Sequence, residues 1–178
     1  MEYTGIFILY KMRLKVKGEP LVTILIPNKD QAETLDTCVR SIYEKTDYPH
    51  FEILIVENNS EKEETFAYYE KMEKEHENFR VVRYEGGFNY SAINNFGAHH
   101  AKGDYLLLLN NDTEVISPFW IREMVGFCQR EDTGAVGSET LLSGRSGPAL
   151  WGGGRNRKFC RSCAEFPYPG RMQAISEG

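Results

Sequence analysis

The chain has 178 residues, with 41% hydrophobic and 26% charged residues and a formal net charge of −5. That length suits one ordinary domain with a sizeable core, and the acidic balance supplies no basic field for DNA or RNA, so nucleic acid is not an expected partner. No apolar run approaches the ~20 residues that a membrane-spanning helix needs. In "GIFILYKMRLKVKG" the positive charges follow the apolar residues instead of preceding them, so neither a membrane span nor a signal peptide is expected.

Residues 1–17 are weakly patterned, and "GEP" at Gly18 to Pro20 reads as a linker, which makes 1–20 an N-terminal extension. From Leu21 onward β-like apolar runs alternate with helical periodicities, the pattern of an α/β domain on parallel strands. "LVTILIP" (Leu21 to Pro27) is the first strand. A helix follows with Leu35, Cys38, Val39 and Ile42 on one face, closed by Tyr48-Pro49-His50. "FEILIVE" (Phe51 to Glu57) is the second strand, and Ser60 with Glu63 three residues on predicts a capping box for a helix through Phe66, Tyr69 and Met72. "FRVVRY" (Phe79 to Tyr84) leads to a helix from Ser91 to Ala101, with Gly103 as a left-handed stop. "DYLLLLN" (Asp104 to Asn110) is the fourth strand, and Ser117-Pro118 opens a helix to about Gln129. Cys38 and Cys128 fall among apolar residues and read as reduced core cysteines, which suits a cytoplasmic protein.

In open parallel sheets ligands bind beyond the carboxyl ends of the strands. Here those ends read "IPNKD", "VENNS", "YEGGFNYS" and "LNNDTE", each apolar strand stopping in carboxylates, carboxamides or glycine. That is the chemistry of a sugar–nucleotide pocket. No GxxxxGK[ST] occurs and no GxGxxG follows the first strand, so the glycine cradles of P-loop and dinucleotide sites are missing. A diphosphate must then be neutralised by a divalent cation. Mg²⁺ takes one or two protein carboxylates and completes its shell with phosphate oxygens and water, a role for which Asp112 is placed. The alternative is that Asn110, Asn111 and Asp112 form a plain turn.

"VTILIPNKDQAETLDTCVRSI", "FEILIVENNS", "FNYSAINNFGAHHAKGDYLLLLNNDTEV" and "GAVG", arriving in that order, resemble the family 2 glycosyltransferases of GT-A fold, especially bacterial cell-surface polysaccharide enzymes of rhamnosyltransferase type. The resemblance spans about Leu21 to Gly137 and implies a Rossmann-like, mostly parallel sheet with helices on both faces, in a nucleotide-sugar-binding domain over 21–138. It implies that Pro27 and Asn28 line the nucleotide and that one of Glu57, Asn58 and Asn59 reads a uracil or thymine. Asn94 and Asn95 match the family's Arg-Asn-x-Gly motif, with Asn94 where arginine is common. The Asp-x-Asp metal motif becomes Asn110-Asn111-Asp112, leaving Asp112 as the main ligand of Mg²⁺ or Mn²⁺, with Asn110 free to bond the ribose or sugar. The implied reaction moves a sugar, with inversion, from a UDP- or dTDP-linked donor to a saccharide or lipid-linked acceptor. Its expected place is the cytoplasm, in peripheral contact with the inner face of the membrane. The family's general base lies beyond the metal motif, and no position here matches it. A non-catalytic nucleotide-sugar-binding module, or an inactive fragment that needs a partner to complete its site, is the second reading.

After "GAVG" the pattern changes to a glycine- and arginine-rich run, and 139–178 reads as a tail outside the family domain, mobile from about Ser143. Back-translating Glu139 to Ala164 and reading from the second nucleotide of each codon permits "KLYYPDGRVQHCGAVVGIGNFAGHA", close to the continuation of similar proteins. A shift of frame near Ser138 is therefore expected in the gene or its record. Cys160 and Cys163 form a lone CxxC without the second ligand pair that zinc requires. His99 and His100 read as helix-end residues, and Phe66, Tyr68 and Tyr69 as packing, while Phe88 and Tyr90 flank the expected pocket.

Overall fold

The computed structural model describes residues 13–138 and the backbone of 160–165. Strands β1 (Val22–Asn28), β2 (Phe51–Glu57), β3 (Phe79–Arg83) and β4 (Tyr105–Leu108) alternate with helices α1 (Ala32–Lys45), α2 (Glu63–Glu75) and α3 (Tyr90–His100). After β4 come α4 (Trp120–Cys128), β5 (Ala135–Ser138) and β6 (Cys160–Glu165). The sheet order is β3-β2-β1-β4-β6-β5, with the first four strands parallel and β6 antiparallel to both β4 and β5.

Strand periodicity sorts the core into two layers. Val22, Ile24 and Ile26 of β1 point with Ile53 and Ile55 toward Leu35, Val39 and Ile42 of α1, Tyr69 and Met72 of α2, and Ile121 and Val125 of α4. The intervening Leu25 and Val56 meet Ile93 of α3 on the opposite face. Helices thus cover both faces, as near-continuous apolar strands require. Each fully buried Leu or Ile in these layers contributes on the order of 1.5–3 kcal/mol. The expected α1 stripe of Leu35, Cys38, Val39 and Ile42 is buried throughout, and Cys38 and Cys128 are buried and in no disulfide.

Two glycines set how closely α3 approaches the sheet. A Cβ on Gly97 would lie 2.5 Å from Leu25 Cδ1 and 2.6 Å from Val56 Cγ2. One on Gly103 would lie 2.5 Å from the Thr23 backbone nitrogen. Gly103 is not the left-handed stop expected: α3 ends at an extended Ala101, and Gly103 is needed because its backbone abuts β1. Below it, Glu52 accepts from Thr23 Oγ1 (2.7 Å) and the Lys102 nitrogen (2.8 Å) and pairs with Arg80, fixing the lower end of α3.

Two other helix starts differ from the sequence pattern. Ser60 does not cap α2; Glu57 binds its hydroxyl and nitrogen, and the Asp30 carboxylate reaches over to accept from Glu61 N (2.7 Å) and Lys62 N (2.9 Å). Ser117-Pro118 forms a turn before α4, which begins at Trp120, the Trp120 nitrogen bonding Ser117 O at 3.3 Å. Asn89 caps α3, its Oδ1 accepting from Ala92 N at 3.0 Å.

Residues 13–17, given no role from sequence, lie along α4: Gln129 bonds both the nitrogen and the carbonyl of Lys17 at 2.8 Å, and a Cβ on Gly126 would lie 2.7 Å from Leu14 O. Within the segment expected to stay outside the domain, Cys160–Glu165, with its CxxC, is a strand of the sheet. The rest of 139–178 and residues 1–12 lie outside the described residues. Among the described residues, no helix is long and apolar enough to cross a membrane.

Candidate functional site

The chain winds outward from β1 through β2 to β3, then returns to place β4 on the other side of β1. Between β1 and β4 the connections leave in opposite directions, so a crevice opens above their carboxyl ends. The first and fourth of the polar strand ends meet there. Asn111 Nδ2 donates to Asn28 Oδ1 at 2.7 Å, closing the gap between the β1 end and the loop after β4. The β2 end joins through the Asn58 nitrogen, which donates to Asn28 O at 3.0 Å.

Beneath this lip lies a buried polar network. Asn28 is 3% exposed, and its Nδ2 donates to the Tyr69 hydroxyl at 2.8 Å; that hydroxyl donates onward to Glu57 Oε2, also at 2.8 Å. Glu57, itself 3% exposed, also accepts from the Ser60 hydroxyl at 2.6 Å and from the Ser60 nitrogen. The structure therefore places Glu57 under the lip, occupied by internal donors. Asn58 is buried as well, its Nδ2 shared between Tyr84 O (3.2 Å) and Gly86 O (3.0 Å), so it ties the β2 end to the glycine loop after β3. Asn59 is exposed and left-handed, with φ of 57°, and its Nδ2 also reaches Gly86 O at 2.9 Å. Asparagine tolerates that backbone region better than most residues.

Of the remaining candidates, Pro27 is half-buried in β1, and Asn110 is exposed at the end of β4, its carbonyl facing Cys38 Sγ at 3.7 Å. Asp112 is exposed on the same loop. Asn94 and Asn95 lie on α3; Asn94 is 6% exposed, its Nδ2 donates to Tyr90 O at 2.8 Å, and its Oδ1 is a buried acceptor without a hydrogen-bond partner. Phe88, 83% exposed, and Tyr90 stand on the loop into α3.

A divalent cation can be tested against this donor set. Among the described residues no three of His, Cys, Asp and Glu converge on one point, so the protein alone offers no closed metal cage. The exposed carboxylate of Asp112 fits instead a Mg²⁺ or Mn²⁺ ion whose other ligands would be diphosphate oxygens and water.

Three residues of the site escape sequence reasoning. Tyr69 sits on the apolar stripe of α2 and reads as packing; only its hydroxyl distinguishes it from Phe66. Burial drives that phenol well above its ordinary pKa, so it stays protonated and can accept and donate at once. Ser60 reads as a helix cap, and Asp30, with φ of 50°, as a loop residue. The two also bond each other across 30 residues of sequence (Asp30 N to Ser60 Oγ, 3.0 Å), beyond any local pattern.

The model of the family described as "Glycosyl transferase family 2" matches residues 23–167, a span that runs past the expected domain end at 138. The chain is 46% identical over 135 residues to the O-antigen biosynthesis protein RfbC of Myxococcus xanthus, covering 75% of this chain and 10% of that protein. It is 38% identical over 130 residues to the uncharacterized protein y4gI of Sinorhizobium fredii, covering 73% of this chain and 14% of that one. The chain thus spans about a tenth of these relatives' length. Among solved structures it is similar to the mannosyltransferase PcManGT of Pyrobaculum calidifontis, in complex with GDP-Man and Mn²⁺, with a TM-score of 0.62 and 18% identity over 71% of this chain and 37% of that one. A fragment of S. aureus TarS in complex with UDP-GlcNAc gives a TM-score of 0.55 and 20% identity over 72% of this chain and 37% of that one. At such identities these likenesses show the fold, GT-A.

Proposed function

The chain belongs to glycosyl transferase family 2, and on that premise we propose that its GT-A domain binds a nucleoside-diphosphate sugar, UDP- or dTDP-linked, in the crevice between β1 and β4. The sugar passes to a saccharide or lipid-linked acceptor in cell-surface polysaccharide synthesis. The observation that carries this reading is the Asn28–Asn111 bridge across the crevice, with the exposed Asp112 beside it. It gathers two strand ends into one polar lip where the topology opens a cleft.

In this reading the base lies toward Asn59 and the Gly86 loop, with Asn58 holding that loop from below and Glu57 holding the turn at Ser60. Pro27 and Asn28 form the floor under the nucleotide, Asn94 and Asn95 face it from α3, and Asn110 and Asn111 meet the ribose or sugar. Asp112 is the residue that would hold a Mg²⁺ or Mn²⁺ ion, which when bound would neutralise charge on the departing diphosphate. The acceptor hydroxyl attacks the anomeric carbon as the diphosphate leaves, with inversion, and gives its proton to a carboxylate base. None of the described residues is assigned that base, so the described domain is the donor-binding half of the site. The proposed setting is the cytoplasmic face of the membrane, in peripheral contact with it.

The test is calorimetry of UDP and dTDP, with and without Mn²⁺ or Mg²⁺, followed by donor hydrolysis. Metal-dependent binding of either nucleotide is expected. Binding without turnover would favour the second reading, a nucleotide-sugar-binding module, and no binding of either would contradict both.

A further inference from the structure

The polar network under the lip has a direction, and Glu57 imposes it. An ionised carboxylate can only accept hydrogen bonds. The Tyr69 hydroxyl therefore donates its single proton to Glu57 Oε2 (2.8 Å) and has only lone pairs left for Asn28. Asn28 must then offer its amide nitrogen to Tyr69 (2.8 Å), which turns its Oδ1 toward Asn111. Asn111 must answer with Nδ2 (2.7 Å), leaving its carboxamide oxygen as the end not committed to Asn28. Reversing Asn28 would set its oxygen against the Tyr69 lone pairs and its nitrogen against Asn111 Nδ2, and reversing Asn111 would set acceptor against acceptor, at 2.7–2.8 Å. Three members of the chain, Asn28, Glu57 and Tyr69, are 3–4% exposed, so water cannot take a missing partner's place without opening the core.

From this we infer that Tyr69, on α2 and away from the lip, is a positioning residue: through Asn28 it fixes which end of the Asn111 carboxamide is presented next to Asp112. The inference rests on the proposed donor site for its functional consequence, because an oxygen beside Asp112 suits a cation or a sugar hydroxyl, whereas an amide nitrogen would repel the cation. It also gives Glu57 a role distinct from reading the base, since its carboxylate sets the polarity of the whole chain. The ends of β1, β2 and β4 are wired to one phenol in series, and such chains strengthen cooperatively in a low-dielectric interior.

Tyr69→Phe keeps the ring and removes only the hydroxyl. Two measurements apply. First, the side-chain carboxamide ¹⁵N–¹H resonances of Asn28 and Asn111 are compared in wild type and variant without ligand; both pairs are expected to move, and unmoved Asn111 resonances would overturn the inference whether or not any nucleotide binds. Second, UDP affinity in Mn²⁺ is measured in a double-mutant cycle with Asn111→Ala. Tyr69→Phe is expected to weaken binding about five- to tenfold in the wild-type background and less than twofold when Asn111 is already alanine. An equal loss in both backgrounds would mean that Tyr69 acts through general stability and would overturn the inference. Tyr43→Phe, which loses a comparable bond to Asn78 Oδ1 (3.1 Å) in another part of the fold, should leave affinity unchanged. Glu57→Gln keeps the side chain's shape but admits a reversed chain, and should shift the same Asn111 resonances. If wild type binds neither UDP nor dTDP, the donor-site reading fails while the resonance measurement still decides this inference.

Discussion

Asn28 and Asn111, 83 positions apart in sequence, share a 2.7 Å hydrogen bond that joins the end of β1 to the loop after β4. Because Asn28 also donates to Tyr69, replacing it strands two partners at once. Asn28→Ala is expected to lower stability by about 1–3 kcal/mol, the cost of leaving buried polar groups unpaired. Chemical denaturation with an unchanged m-value would verify it; a loss below about 0.5 kcal/mol would show that the network is dispensable.

The approach of α3 to the sheet gives a second expectation. Gly97→Ala places a methyl 2.5 Å from Leu25 Cδ1, which can move, whereas Gly103→Ala places one 2.5 Å from the Thr23 backbone nitrogen, which cannot without shifting β1. Both should destabilise by about 1–3 kcal/mol, typical of overpacking. Thermal melts should rank Gly103→Ala as the more severe, and the reverse order would contradict the packing described.

Asp30 makes stability depend on acid. The backbone bond from Lys62 holds its pKa below the ordinary 3.8, aided by the bond from Glu61 and by Lys29 and Lys62, against the opposing effect of burial. A carboxylate lowered in the fold stabilises it above the unfolded value and loses that contribution as pH falls through the folded one. The melting temperature of Asp30→Ala should therefore fall below that of wild type at neutral pH, and the two should converge under acid. A gap independent of pH would assign the effect to something other than this carboxylate.

Most of the fold was legible because strands and helices announce themselves locally. The runs Phe51 to Glu57 and Leu21 to Pro27 are mostly apolar because both of their faces are covered, and Leu35, Cys38, Val39 and Ile42 recur at helical spacing because one face of α1 is buried. Within the site, residue types at the strand ends were legible, but their division of labour was not. Glu57 and Asn59 are two residues apart, yet one is buried under internal donors and the other exposed, a distinction made by Ser60, Tyr69 and a left-handed turn. The Ser60–Glu63 pattern misleads because a carboxylate three residues upstream of Ser60 captures it first.

The reading of Glu139 to Ala164 in the alternate frame is decided by DNA. The coding sequence is expected to carry "KLYYPDGRVQHCGAVVGIGNFAGHA" one nucleotide out of register, starting near Ser138. Stops or unrelated residues in that frame would remove the proposal.

In the proposed site Asp112 joins a divalent cation to a diphosphate over the β1–β4 crevice. The most direct measurement is calorimetric titration of UDP and dTDP into wild type and Asp112→Ala, each with Mn²⁺ and with chelator. Wild type is expected to bind one of them in a manganese-dependent way, and the variant to lose about tenfold or more of that affinity while its chelator-condition binding stays unchanged. Equal affinities for the two proteins in manganese would contradict the claim.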